Sequence, residues 1–144
     1  MAREEIDALL KTAQDQLIRA EHDFKEEFYD SCALFSVMCA ENSTSALILA
    51  LGSKPSKRHR NWYVLRIIPK PEELEKSILD VLEVLKPIEE HIIRARYPLK
   101  DEDGRFIVPS EYYDKEKAEK LLEGAKLVLE KIEASIDAIL SRKS

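Results

Sequence analysis

Apolar residues recur at steps of three and four along four long stretches of this chain, and that spacing constrains its fold more than any other feature. Such a stripe covers one face of an α-helix, whereas a half-buried strand would alternate at every second residue. Helices that each bury one face favour a bundle in which they cover one another. The stripes are Ile6, Leu9, Leu10, Ala13, Leu17, Ala20 and Phe24; Phe28, Cys32, Phe35, Cys39, Ala46 and Leu49; Leu74, Ile78, Val81, Leu82, Leu85, Ile88 and Ile92; and Ala118, Leu121, Leu122, Ala125, Val128, Leu129, Ile132, Ile136 and Ile139.

Turn and capping residues set the ends of these helices. Gly52 follows the second stripe and predicts a left-handed cap there. Asp114 precedes the fourth stripe, where its side chain suits the start of a helix. A short helical piece is expected over residues 63–68. The sequence thus predicts an all-α fold, an up-and-down four-helix bundle with a short extra helix, forming a single domain over residues 1–144.

The third helix contains a proline. Pro87 removes one backbone hydrogen bond and predicts a bend. The alternative is that this helix stops at Lys86 and another begins, but we favour the bend because the apolar spacing continues through it towards Tyr97. Residues 99–113 are expected to form a loop in which residues 105–108 are briefly extended.

Charge and hydropathy narrow the functional class. The formal net charge of −5 argues against a surface coated in basic charge for nucleic acid, although a local basic patch is compatible with it. The longest apolar run, residues 45–51, is far shorter than the ~20 residues of a membrane span. The first residues also lack an apolar signal region. We therefore expect a cytoplasmic protein that does not enter a membrane.

The positions of cysteine and histidine predict no metal site and no cofactor. Cys32 and Cys39 lie seven residues apart on one predicted helix, roughly 10.5 Å along its axis and beyond the reach of a disulfide. We expect both to be reduced core residues. His22, His59 and His91 are scattered without metal-ligand spacing, and there is no glycine-rich phosphate loop.

The most uneven feature is the charge of one connector. Residues 42–71 contain no acidic residue and six basic ones, so the rest of the chain carries a net charge of −11 (−5 minus +6). A cationic connector on an acidic body can bind a phosphate, an RNA or the acidic face of a protein, and the alternative is a solvated loop. The six are Lys54, Lys57, Arg58, Arg60, Arg66 and Lys70.

Two other charged positions allow more than one interpretation. Glu41 follows the apolar stretch 37–40, and a buried carboxylate needs a partner. We favour a structural role for it, pairing with an arginine or capping another helix, over contact with a ligand. Arg94 and Arg96, followed by Tyr97, either complement the negative end of the third helix or bind an anion.

Several segments resemble the HEPN domain family. The run Cys39–Gly52, followed by Pro55 and His59, is similar to its second-helix signature: an Ala-Glu-Asn segment, small residues, a Gly-x-x-Pro connector and a histidine. Residues 94–98 resemble the Ala-Arg-Tyr-Pro segment that many members place after the third helix. Residues 112–125 resemble their last helix. These matches occur in the family's order and span nearly the whole chain.

The resemblance implies a bundle of four or five helices that often pairs as a homodimer. Many members are encoded beside a minimal nucleotidyltransferase, with which they form toxin–antitoxin pairs. Some are ribonucleases with an arginine followed, after four to six residues, by a histidine. That motif is absent here: residues 99–101 follow Arg94 at this distance, residues 101–103 follow Arg96, and neither set contains a histidine. Ser45 also stands where many members carry lysine.

We therefore predict a non-catalytic HEPN-type module, a homodimer that binds a nucleotide, RNA or a minimal nucleotidyltransferase partner. The competing hypotheses are a ribonuclease that uses His59 or His91 and a purely structural adaptor subunit. The expected nucleotide- or anion-binding residues are Lys57, Arg58, His59, Arg60, Arg94, Arg96 and Tyr97, with Glu41 as a structural or ligand-contact residue. Apolar residues outside the main stripes favour the dimer: Leu34, Val37, Met38, Leu47, Ile48, Ile67, Ile68 and Ile93.

Overall fold

Six α-helices make up most of residues 2–142, the part of the chain that the computed structural model describes. The four long helices follow the four apolar stripes, and the prediction of an all-α fold is confirmed. A 3-10 turn (Glu72–Leu74) precedes α4, and a small hairpin of two strands precedes α5. The helices are α1 (Ala2–Lys25), α2 (Tyr29–Ala50), α3 (Asn61–Ile67), α4 (Glu75–Glu89), α5 (Pro109–Tyr112) and α6 (Lys115–Arg142).

The second helix, α2, is the core helix of the bundle and packs against both α1 and α6. Its buried residues cover more than half of its circumference. By length and composition alone the 22 residues of α2 are long and apolar enough to cross a membrane, which the length of the longest contiguous apolar run did not indicate. Since 61% of the relevant stretch is buried inside the protein, α2 has the burial of a core helix.

The central position of α2 changes the argument for a dimer. Six of the eight apolar residues outside the main stripes are buried or half-buried against the chain's own helices. These six therefore give no support to a second copy. They are Leu34, Val37, Met38, Leu47, Ile48 and Ile68. Ile67 and Ile93 are exposed, at 59% and 49% of their surface.

Two predicted helix ends are confirmed. Gly52 has a φ of +87°, which favours glycine, and its N–H donates to the Leu49 carbonyl at 3.0 Å just after α2. At the start of α6, the Lys117 N–H donates to Asp114 Oδ1 at 2.9 Å. Both ends therefore follow from single residues that sequence inspection can recognise.

The third long helix differs from its prediction. It continues through Pro87, as expected, but α4 ends at Glu89 instead of running on to the end of the apolar stripe. Pro87 has no N–H to donate, which weakens the ladder near this end of the helix. Residues 90–96 form turns whose backbone hydrogen bonds mostly span three residues. Ile92 and Ala95 in these turns are buried, and this explains why the apolar spacing outlasts the helix.

The segment that we predicted as a loop between α4 and α6 contains ordered elements. Leu99–Lys100 pairs antiparallel with Phe106–Ile107, so the expected extended piece at 105–108 is a short strand in a hairpin. Asp101 Oδ1 closes the turn by accepting the N–H groups of Asp103 and Arg105, each at 2.9 Å. This local side-chain bonding, and the α5 helix after it, give structure to a segment that lacks an apolar stripe.

Both cysteines are free and buried, as predicted. Burial raises the pKa of the Cys32 thiol to about 11 and that of the Cys39 thiol to about 12. Because the thiolate is the reactive form, these two residues are inert core residues at neutral pH.

Candidate functional site

The cationic connector between α2 and α3 is fixed by one buried side chain, Asn61, which is 1% exposed. Its amide nitrogen lies 3.2 Å from the Glu41 carbonyl oxygen, 3.0 Å from Thr44 Oγ1 and 2.9 Å from Ser45 Oγ, all on α2. Its amide oxygen accepts the Ser56 N–H at 2.9 Å. These bonds hold both ends of the segment 56–61 against α2.

His59 projects from the connector in a conformation that histidine adopts more readily than most side chains. Its φ is +59°, in the left-handed region. Ser56 Oγ holds the surrounding turn by accepting the N–H groups of Arg58 at 3.1 Å and Arg60 at 3.0 Å. His59 Nδ1 contacts Glu41 Oε2. The predicted structural partner of Glu41, an arginine or a helix end, was therefore wrong: its carboxylate pairs with the imidazole.

A second carboxylate, that of Glu89 on α4, makes a contact close to the connector, at the start of α3. Its Oε2 accepts the Trp62 N–H at 2.9 Å and so satisfies a free amide at the start of α3. Burial raises the pKa of Glu89 to about 7, and the negative charge of Glu41 adds to this effect while the hydrogen bond from Trp62 and the nearby His59 oppose it. Trp62 also donates from Nε1 to the Leu82 carbonyl at 3.0 Å, which ties α3 to α4.

Three basic side chains of the connector are accessible to a binding partner. Lys57, Arg58 and Arg60 are exposed, and within residues 2–142 none of them takes part in an ion pair. By contrast, the Lys70 ammonium donates to three carbonyl oxygens at 2.6–3.1 Å. The rim around His59 thus presents three positive charges on a hydrogen-bonded turn, which is suitable for an anionic surface.

The second group of predicted site residues, an edge formed by Arg94, Arg96 and Tyr97, lies just beyond α4. Arg94 is half-buried and places its guanidinium carbon 4.4 Å from the centre of the Tyr112 ring. Arg96 is half-buried, and Tyr97 is 55% exposed. Within residues 2–142, no hydrogen bond or ion pair joins this edge to the connector. The two groups of predicted site residues are therefore not linked by such a contact in this part of the chain.

Sequence inspection missed the two side chains that organise the connector, Asn61 and Glu89. A signal for Asn61 was available in residues 43–45, three consecutive hydroxyl side chains within the apolar α2. Buried hydroxyl groups need hydrogen-bond partners, and Asn61 supplies one to Thr44 and Ser45. No comparable signal exists for Glu89, because its contact depends on how the connector folds back onto α4.

The fold and the amino-acid sequence together identify the class of protein. The sequence model of the HEPN domain family matches residues 6–135, and the chain therefore belongs to that family. Its sequence is similar to that of a Methanocaldococcus jannaschii protein named "Putative toxin MJ1304". The two are 31% identical over 127 residues, which cover 85% of this chain and 82% of that protein.

Solved structures share the same fold. The crystal structure of TT1696 from Thermus thermophilus superimposes with a TM-score of 0.72 and 24% identity, over 94% of this chain and 99% of that one. The structure of ST0689, described as an archaeal HEPN homologue, gives a TM-score of 0.67 and 20% identity, over 91% and 97% of the two chains. At these identities the likeness concerns the fold alone.

Proposed function

We propose that this chain is a toxin-like HEPN module that works by binding, paired with a minimal nucleotidyltransferase in a toxin–antitoxin-like pair. The cationic connector, with Lys57, Arg58 and Arg60, contacts an acidic face of that partner or the phosphates of a nucleotide that the partner holds. In the cytoplasm the module acts as a homodimer. The observation that carries the proposal is that three cations, without an ion pair in the described part of the chain, stand on a turn already ordered by Ser56 and Asn61.

Order in the free protein strengthens this interpretation. A flexible cationic loop loses conformational entropy when it binds, whereas a turn held by hydrogen bonds has already lost much of it. Membership of the HEPN family and similarity to a protein named as a toxin support the wider toxin–antitoxin setting. The missing Arg-x4–6-His motif supports a binding role in place of RNA cleavage.

The partner is tested by co-expression with the product of the adjacent gene. The proposal expects that gene to encode a small nucleotidyltransferase and the two proteins to co-elute in gel filtration. Arg58→Glu/Arg60→Glu should weaken the complex at least about tenfold, because like charges then face each other. The control is Lys25→Glu/Arg105→Glu, which changes net charge equally at exposed sites outside the connector. Equal affinity of both double variants, or an unrelated adjacent gene, contradicts the proposal.

One observation favours a second candidate, a ribonuclease with a non-standard histidine. The Glu41 carboxylate contacts Nδ1 of His59, an arrangement that orients an imidazole for proton transfer at its other nitrogen. Arg58 and Arg60 beside it suit a phosphodiester substrate. Purified protein is incubated with mixed RNA in EDTA. Cleavage that His59→Ala abolishes establishes this candidate and overturns the binding proposal, whereas intact RNA agrees with the binding proposal.

A further inference from the structure

A concave surface lies between α4 and α6, and the residues that line it have no part in the proposed function. It encloses ≈ 540 Å³, within the range of small-molecule sites. Its floor is apolar, and Gly124 lets Ile88 and Val84 pack directly on the backbone of α6, since a Cβ there would lie 3.0 Å from Ile88 Cδ1 and 3.1 Å from Val84 Cγ1. The apolar lining consists of Val84, Pro87, Ile88, Leu121, Gly124 and Leu127. We call this surface the α4–α6 cleft.

One end of the α4–α6 cleft is cationic. Lys117 lies there with its ammonium 5.0 Å from the Tyr112 ring centre, and the Arg94 guanidinium lies 4.4 Å from the same ring centre. Lys117 also pairs with Asp114 at 3.5 Å, whereas Lys120 has no ion pair within residues 2–142. This end therefore combines an aromatic face with cations that are only partly neutralised.

The surroundings of His91 have the same excess of positive charge as the cationic end of the cleft. Its Nδ1 lies 2.8 Å from the Tyr113 hydroxyl oxygen, which fixes the ring at the wall of the cleft. Burial lowers the pKa of His91, and the surrounding charges of Arg94, Lys117 and Lys120 lower it further, against the single opposing charge of Glu90. The imidazole is therefore neutral at neutral pH, and it lies in a field that favours an anion.

The far end of the cleft has the opposite sign. Glu83 lies on α4 well before the end of that helix, whereas His91 follows its end; Glu123 lies on α6, one helical turn after Lys120. A ligand with negative charge at both ends would meet repulsion there. The charge pattern selects a molecule whose single anionic group lies at the Lys117 end and whose uncharged body extends over the apolar floor.

We propose that the α4–α6 cleft binds a small anion with an apolar or aromatic body, such as a monophosphate or a carboxylate. The head group contacts Lys117 and Lys120 beside Tyr112, and the body packs on the apolar lining formed by Val84, Ile88 and Leu127. Binding here is independent of the partner contact assigned to the connector. A monoester of phosphate and an acyl carboxylate are two sources of the same chemistry.

The first test is calorimetric titration of the full chain with 1-naphthyl phosphate. Inorganic phosphate and 1-naphthol should each bind at least about tenfold more weakly, because each offers only half of the recognised features. Adenosine 5′-monophosphate and decanoate, titrated in the same way, distinguish a nucleotide source from an acyl source. Failure of all three amphiphilic anions to bind contradicts the proposal.

Two variants locate the site. Lys120→Gln should weaken 1-naphthyl phosphate about fivefold or more, whereas Lys115→Gln, an exposed lysine on the first turn of α6 outside the cleft, should leave it unchanged. Gly124→Leu displaces Ile88 and Val84, which line the floor, and should abolish binding, with circular dichroism to check the fold. If Gly124→Leu does not fold, Lys120→Gln alone decides.

An NMR titration of the His91 imidazole gives a readout that binding elsewhere would not change. A bound anion adds negative charge beside the ring, so the titration midpoint of His91 should rise on saturation with 1-naphthyl phosphate. Affinity that is equal in all variants, together with an unchanged His91 midpoint, places the ligand outside the cleft and overturns the proposal.

Discussion

A few single residues determine the conformation of the connector. Asn61 joins the turn at Ser56 to α2, while Glu89 satisfies the first amides of α3 from across the bundle. His59 is then held in a left-handed conformation against Glu41. The positions of the cations in this region therefore depend on a few uncharged and acidic groups beneath them.

Asn61→Ala should destabilise the protein by about 2–3 kcal/mol, because the half-buried Ser45 hydroxyl and Ser56 N–H would lose their partner and the connector its attachment to α2. Asn42→Ala is the matched control on α2, where a half-buried asparagine makes one bond, at 2.8 Å, to Gln16 of α1. Urea unfolding measures both variants. A loss for Asn61→Ala no larger than the loss for Asn42→Ala would contradict the anchoring role.

The raised pKa of Glu89 predicts a pH dependence of stability. Between its ordinary value of 4.5 and about 7, the folded protein holds a proton that the unfolded chain releases, so this group's contribution to stability falls as pH rises through that window. Glu89→Gln stays neutral and can still accept the Trp62 N–H. Its Tm should exceed the wild-type Tm at pH 8 and match it near pH 4.5.

Thermal unfolding across that range measures the difference. Glu90→Gln, at the neighbouring exposed carboxylate, serves as the control and should show no such pH-dependent gain. A Glu89→Gln variant that is less stable than wild type at pH 8 would mean that the charged carboxylate is needed by Trp62 and His59, contrary to our account.

How much of the candidate site could be predicted differs by residue. The basic run at 57–60 is visible in the sequence because charge needs no tertiary information. The contacts of Glu41 and Glu89 could not be predicted, because they join α2 and α4 to the connector and the start of α3, whose relative placement depends on packing. Arg94 was expected at an anion site, but its contact with Tyr112 required knowledge of the hairpin and α5 between them.

At the scale of elements, the helices are stabilised mainly by their buried faces. Periodicity predicted the long helices because only the helical repeat keeps one stripe in the core. It failed at the end of α4, where turns keep Ile92 buried without a helix, and in the hairpin, whose two-residue strands are too short to show alternation. Helix ends and short elements depend on local hydrogen bonds that an apolar pattern does not record.

The two faces of α4 give a matched pair of variants. Leu85 is 0% exposed and Leu79 is 59% exposed. Leu85→Ala should lower the free energy of unfolding by about 3 kcal/mol through lost burial and a cavity, and Leu79→Ala by less than about 0.5 kcal/mol. Denaturant titration checks both. Equal losses at the two positions would mean that this helix is oriented differently in the bundle.

At the scale of the whole molecule, the proposed homodimer needs a surface of its own. Residues of α2 that favoured it from sequence are buried or half-buried within the chain, so the exposed Ile67 and Ile93 are the remaining candidates of that set. Tyr63 lies one helical turn before Ile67 on α3, and the two are 53% and 59% exposed. Contiguous exposed apolar groups are typical of interaction sites.

Ile67→Asp should therefore convert a dimer into a monomer, because a charge would be buried at the interface. Ile18→Asp, on the exposed face of α1 at 64% exposure, is the matched control and should leave the dimer intact. Sedimentation equilibrium measures the mass of each. A wild-type monomer, or a dimer that only Ile18→Asp disrupts, contradicts the assignment of this surface.

The account depends most on binding through the exposed cations of the connector, and the salt dependence of partner binding tests this directly. Calorimetry of the complex with the co-expressed nucleotidyltransferase is carried out between about 0.05 and 0.5 M salt, a range over which the screening of exposed charges changes strongly. We predict that wild-type affinity falls steeply with salt and that Arg58→Ala/Arg60→Ala binds more weakly with a clearly flatter dependence. The same slope and affinity for both proteins would contradict the account.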